Sequence, residues 1–123
     1  MAITFDTGAL LAIERYRQRM VSIFKTALAD KMPIYVPSMC IVEWWRGRTD
    51  LREKILASVI VEHTDNVLVK VTGEALAAVP SATSVDAIVM ATAARRGGVV
   101  FTSDVEDLIR LQAAFPSVRV LGV

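Results

Sequence analysis

Among its 123 residues the chain has one cysteine and one histidine. A lone Cys40 excludes an internal disulfide and a Cys-rich zinc site, fits a reducing compartment, and reads as a small buried hydrophobe. A lone His63, in a polar stretch, reads as a solvated surface residue and leaves no pair of imidazoles to act as general base and acid. An excess of one charge is lacking too. The 14 Lys+Arg and 13 Asp+Glu leave a formal +1, so any contact with a polyanion must come from a local patch. No apolar run approaches the roughly 20 residues that span a bilayer, and the N-terminus has no basic region followed by a long apolar core. The expected location is the cytoplasm, without membrane contact. With no repeat, low-complexity segment or linker, residues 1–123 are expected to form one domain that buries roughly two-thirds of its unfolded surface.

Apolar residues are abundant: 54% of the chain is hydrophobic and the mean hydropathy is +0.46. For a small soluble chain this implies apolar surface reserved for a partner, such as a second copy or a bound peptide. The strongest pattern is SVDAIVMATAARRGGVVFTSDVEDL, Ser84 to Leu108. Ser84 is placed to cap a helix, Asp86 falls in its first turn, and Gly97-Gly98 stops it. Val99-Val100-Phe101 has the composition of a central parallel strand, ending at Thr102-Ser103-Asp104. The N-terminus repeats this logic, with Ile3-Thr4-Phe5 ending at Asp6 and an apolar helix following.

Between these segments, Glu14 to Lys31 places Tyr16, Met20, Ile23, Phe24 and Leu28 at spacings of three and four, predicting one helix with a buried face. Ile34 to Pro37 reads as a second strand, with Ser38 capping the next helix. Thr49 or Asp50 is placed to cap a helix through Val59. Asn66 to Val71 (NVLVKV) reads as a third strand, Glu74 to Val79 as a short helix, Asp104 to Ala114 as a helix, and Val118 to Leu121 as the last strand. About five strands alternating with helices predict an α/β fold, a parallel sheet with helices on both faces.

Singly, most of the acids have structural explanations. Asp6 and Asp104 stand where N-caps stand, each worth about 1 kcal/mol, and Asp86 complements a helix dipole. Glu43 does not fit this account, because it lies mid-helix inside MCIVEWW. It must face water, pair with a cation such as Arg46, or bind a metal. Jointly the acids converge, since ligands of parallel α/β sheets bind beyond the carboxyl ends of strands. Two carboxylates ~4 Å apart at an effective dielectric of ~20 repel by about 4 kcal/mol, a large cost in a domain stable by ~5–15 kcal/mol. A divalent cation removes the conflict, and an all-oxygen donor set favours Mg²⁺ or Mn²⁺.

These motifs, Asp6-Thr7-Gly8-Ala9-Leu10, VPSMCIVEWWRG with Glu43, VDAIVMATAARRGG with Asp86, and FTSDVEDL with Asp104 and Asp107, resemble those of the PIN-domain ribonucleases, especially VapC-type toxins of bacterial toxin–antitoxin pairs. The resemblance spans nearly the whole chain and keeps the order of all four acidic motifs, although the interval before Asp86, with Pro80-Ser81-Ala82-Thr83, is trimmed. It implies a PIN-like domain, an Mg²⁺- or Mn²⁺-dependent endoribonuclease, and a small antitoxin partner. It implies Asp6, Glu43, Asp86 and Asp104 as metal-binding catalytic acids, with Thr7, Ser103 and Asp107 at assisting positions. The cation would lower the pKa of a water and stabilise charge on the scissile phosphate of the RNA.

Seven arginines, Arg15, Arg19, Arg46, Arg48, Arg52, Arg95 and Arg96, could track phosphates or be solvated and salt-bridged. Trp44 and Trp45 could stack bases, or be buried in the core or a partner interface. Two other function classes compete. A phospho-receiver switch needs an acceptor Asp after its third strand, where Val71 here leads into Thr72-Gly73. A catalytically silent PIN-like module acting through a protein partner would need none of the acids.

Overall fold

The computed structural model describes residues 1–123. Five short strands, β1 (Ile3–Phe5), β2 (Ile34–Pro37), β3 (Ile60–Glu62), β4 (Val99–Thr102) and β5 (Arg119–Gly122), form one sheet in the order β3-β2-β1-β4-β5. Every neighbouring pair is parallel. Parallel neighbours need crossovers, and the helices supply them: α1 (Thr7–Glu14) and α2 (Gln18–Ala29) between β1 and β2, then α3 (Ser38–Trp44) and α4 (Asp50–Ala57) before β3. α5 (Asn66–Ala78) and α6 (Ser84–Arg95) return the chain to β4, and α7 (Val105–Arg110) leads through a 3₁₀ turn to β5. The order runs outward from β1 in one direction and then jumps to β4 on its other side. Right-handed crossovers therefore place α1–α4 on one face of the sheet and α5–α7 on the other.

β1 is central and wholly buried, and its register sets the two layers. Phe5 sits beside Phe101 of β4 with ring centroids 5.9 Å apart, edge to face, and meets Phe24 of α2 at 6.4 Å. Such pairs add about 0.5–1.5 kcal/mol beyond area burial. On the opposite face α6 is buried on nearly every side, through Ala87, Val89, Met90, Ala91, Thr92 and Ala93, so its first turn is held rigidly against the sheet. Gly97 and Gly98 end the α6 region with φ of 107° and 79°, and a side chain on Gly97 would meet the Ala2 carbonyl at 2.6 Å. The α2-side face of β4 and β5 is left partly open, as an apolar groove of about 300 Å³ lined in part by Ile3, Ile23, Val99, Phe101 and Leu121. No helix is long and apolar enough to cross a membrane.

Several sequence expectations are corrected. Asn66–Val71 is helical, the first half of α5, and the expected helix at Glu74–Val79 is its second half. Asp65 accepts a hydrogen bond from Leu68 N and starts the helix, while Leu68, Thr72 and Ala75 face inward and Val67 and Val69 stand exposed. The third strand is instead Ile60–Glu62. The single helix expected over Glu14–Lys31 is broken at Arg15–Arg17, where Tyr16 takes a left-handed φ of 56° and is 71% exposed; Leu28 is also exposed. Thr83 rather than Ser84 caps α6, Ser38 is the first residue of α3 without a capping bond, and the helix after Asp104 gives way to 3₁₀ geometry at Leu111.

Candidate functional site

The strand order reverses between β1 and β4, and both strands end in acids there. Asp6 follows Phe5 directly. Its Oδ1 accepts a hydrogen bond from Ala9 N (2.9 Å), capping α1, and its Oδ2 accepts one from the Thr102 hydroxyl (2.5 Å). Thr102 ends β4, and its oxygen accepts in turn from Asp104 N (2.8 Å). One threonine thus ties the backbone carrying Asp104 to the carboxylate of Asp6. Sequence reasoning passed over Thr102, although a buried polar residue closing the otherwise apolar strand VVFT was its signal.

Three further elements reach the same crevice. The Thr7 hydroxyl donates to Glu43 Oε1 (2.7 Å), so the start of α1 holds the carboxylate of α3. Arg46 forms no ion pair with Glu43. Asp86 lies in the first turn of α6, where Thr83 Oγ1 accepts from its backbone N–H (3.2 Å). Asp6, Thr7, Glu43, Asp86, Asp104 and Asp107 line one cleft of about 330 Å³, floored in part by buried Cys40. Ser103 lies outside it, packed over Gly8 and facing neighbouring hollows.

The electrostatics match this crowding. Burial is the main force raising the Asp6 carboxyl from 3.8 to about 6, against its two hydrogen bonds and with help from the charges of Asp104 and Asp86. Asp86 is raised as well, first by burial, then by Asp104, Asp107 and Glu43. Asp107 pairs with Arg110, whereas no cationic side chain pairs with Asp6, Glu43, Asp86 or Asp104. Burial pushes the Cys40 thiol up to about 12, which makes it inert rather than nucleophilic.

An uncompensated set of carboxylates with hydroxyls between them is the donor chemistry of a hard divalent cation, not of zinc. No three or more of these groups are drawn together as a finished cage; Glu43, held by the Thr7 hydroxyl, and Asp104 stand exposed at the mouth of the cleft. His63 is exposed, as expected, and far in sequence from every acid of the cleft.

Of the seven arginines considered for phosphate contact, four are engaged elsewhere. Arg52 chelates Glu14, Arg95 and Arg96 grip Glu62, and Arg48 meets Asp50. Trp44 is a core residue whose indole N–H donates to Glu14 (2.9 Å), and it stacks edge-on against Trp45.

Among solved structures the chain aligns over 100% of its length with 99% of a chain in VapBC2 from Rickettsia felis bound to a DNA fragment from their promoter, at TM-score 0.78 and 12% identity. It aligns over 99% with 98% of a chain in DNA-bound VapBC from Salmonella typhimurium, at 0.75 and 18%. A chain in FitAB bound to an IR36 DNA fragment is covered to 94% by 98% of this one, at 0.71 and 15%. No protein-family model and no curated protein matches the sequence. The likeness is one of fold, and it agrees with the architecture implied by the four acidic motifs.

Proposed function

We propose that this chain, as one PIN-like domain, is a divalent-metal-dependent endoribonuclease and the toxin of a VapC-type toxin–antitoxin pair. The observation that carries the reading is the cleft itself: four acids from four separate segments, unpaired with any cation, meet at the switch point of a parallel sheet. Asp6, Glu43, Asp86 and Asp104 would hold Mg²⁺ or Mn²⁺, with Thr7 and Thr102 orienting Glu43 and Asp6 and with Asp107 and Ser103 at the margin. Bound there, such an ion supplies positive charge for the scissile phosphate and acidifies water. The chain's own contribution is positional. Thr102 fixes the spacing of the two strand-end acids, α6 delivers Asp86 from a rigid frame, and α3, anchored by buried Cys40 and Trp44, presents the exposed Glu43 to the Thr7 hydroxyl.

The partner reading rests on apolar surface. The groove beside β4 and β5, and the exposed Ile60, Val67 and Val69, are of the kind an antitoxin segment and a second copy of the chain would cover.

The test is RNA cleavage with analysis of the ends. In-line attack by water leaves a 5′-phosphate and a 3′-hydroxyl, and cleavage stops in EDTA. Cyclic-phosphate ends, or full activity in EDTA, would refute the assignment. Absence of any cleavage with Mg²⁺ or Mn²⁺ would favour the silent binding module.

A further inference from the structure

Beside the acid cleft, separated from it by Gly8 and Ser103, lies a second hollow of about 430 Å³. It is rimmed by Arg15, Arg17, Gln18 and Arg19, and no acidic side chain lines it. All three arginines are exposed, and none of the chain's ion pairs uses them. Arg19 donates only to the Gly122 carbonyl (3.2 Å), and Val123 also lines the hollow. The local geometry explains why the three arginines line one hollow. The left-handed turn at Tyr16 folds α2 back against α1, so Arg15 at the end of one helix and Arg17 and Arg19 at the start of the next share one side of the corner.

Three guanidinium groups lining one hollow with no acidic side chain among them make it locally positive. The two clusters have opposite signs and adjoin. We propose that the Arg15–Arg17–Arg19 hollow is a phosphate-binding subsite, which seats the backbone of single-stranded RNA on one side of the bond to be cut. The inference rests on the nuclease reading for its substrate, and it selects one basic site from arginines that the sequence could not rank. A polyanion approaching four carboxylates is repelled, and guanidinium groups immediately beside the cleft offset that repulsion while fixing the strand's register. The polar rim favours a phosphate chain over an apolar peptide, whose complement is the groove on β4 and β5.

The experiment uses the Glu43→Gln protein in EDTA, so that binding is read without turnover, and a short fluorescein-labelled single-stranded RNA followed by anisotropy across a salt series. Arg15→Gln and Arg17→Gln should each weaken binding roughly threefold or more, and together roughly tenfold, with the slope of log K against log salt falling by about 0.7 for each phosphate no longer neutralised. Arg15→Lys and Arg17→Lys should keep the slope. Lys70→Gln removes the same charge from the exposed face of α5 and should change little. Unchanged affinity and slope in the double variant, or an equal loss in Lys70→Gln, would overturn the subsite. So would RNA binding that is intact while a co-expressed protein partner is lost, since the hollow would then be a protein contact. Cleavage assays on the wild type separate the two claims. Arginine-dependent RNA binding without metal-dependent cleavage keeps the subsite and rejects the nuclease; cleavage with arginine-independent binding does the reverse.

Discussion

Replacing Asp6 by Asn should make the metal-free protein more stable at neutral pH. The carboxyl of Asp6 titrates near 6 in the fold instead of 3.8, because burial and the neighbouring Asp104 and Asp86 oppose its charge. At about 1.4 kcal/mol per pH unit that difference amounts to about 3 kcal/mol. The folded state binds the proton more tightly, so between pH 4 and 6 the unfolded chain releases a proton that the fold retains. Stability therefore falls as pH rises through that window, and the loss is complete above about 6. Asn carries no charge and escapes this loss. It keeps the shape but offers one oxygen where Asp6 accepts from both Ala9 N and Thr102, and the unmet partner costs about 1 kcal/mol. The net gain is about 2 kcal/mol at pH 7.5, or roughly 6–10 °C in Tm for a chain of this size. Below pH 4 the order reverses, and the Asp6→Asn variant becomes the less stable of the two by about 1 kcal/mol. Thermal melts in EDTA between pH 4 and 8 test this, and their curves should cross. A difference independent of pH, or a variant less stable than the wild type at pH 7.5, would refute the argument that Asp6 is a buried charge awaiting a counter-ion.

Millimolar Mg²⁺ or Mn²⁺ should raise the Tm of the wild type by mass action, and the rise should shrink in Asp6→Asn and Asp104→Asn; equal rises in all three would remove the ion from this cleft. Gly8→Ala drives a Cβ into Ser103 Oγ and to 2.6 Å from the Ser103 Cβ, so the turn carrying Asp104 must move; calorimetry should show a loss of about 1–3 kcal/mol, largely recovered when Ser103→Gly is added. Glu62→Gln should cost about 1–3 kcal/mol by chemical denaturation, since Arg95 and Arg96 lose their common acid. Because those arginines hold the Glu62 carboxyl below its ordinary range, the wild type's advantage should fade as pH drops through that lowered value. Co-expression with the neighbouring reading frame should yield a stable complex with a small protein that silences cleavage.

What the sequence disclosed and what it hid follow from how far apart the deciding residues lie. β1, β2, β4 and β5 were readable because each is a compact apolar run punctuated by Pro, Gly or Asp. NVLVKV misled because Val67, Val69 and Val71 alternate with the period of a strand. What decides is Asp65, which caps Leu68, together with a buried row at Leu68, Thr72 and Ala75 that continues past the segment. The true β3 has three residues, and its one buried residue is an acid. Glu62 is tolerated there only because two arginines more than thirty residues away reach it, information no local window contains. The break at Tyr16 was hidden for another reason: no glycine or proline marks it, and an L-residue takes the left-handed turn.

The acids of the cleft were legible for a reason that also accounts for the pairings that were not. Asp6 and Asp104 each end a strand, and any parallel sheet that jumps from β1 to β4 must bring two such ends together, whatever the helices do. Thr102 adds the contact between them, and its place is set by register, since Phe5 pairs with Phe101 and the next residues, Asp6 and Thr102, fall opposite each other. Glu43 and Asp86 arrive by helices on opposite faces of the sheet. Their convergence is therefore a property of topology rather than of any segment. It places charge where burial and like neighbours make it costly, and the apolar core carries that cost. A domain assembled only for stability would have put Asn or Ser at these strand ends, where the cap that Asp6 gives α1 would be kept and the repulsion lost; Asp104 makes no capping bond to lose.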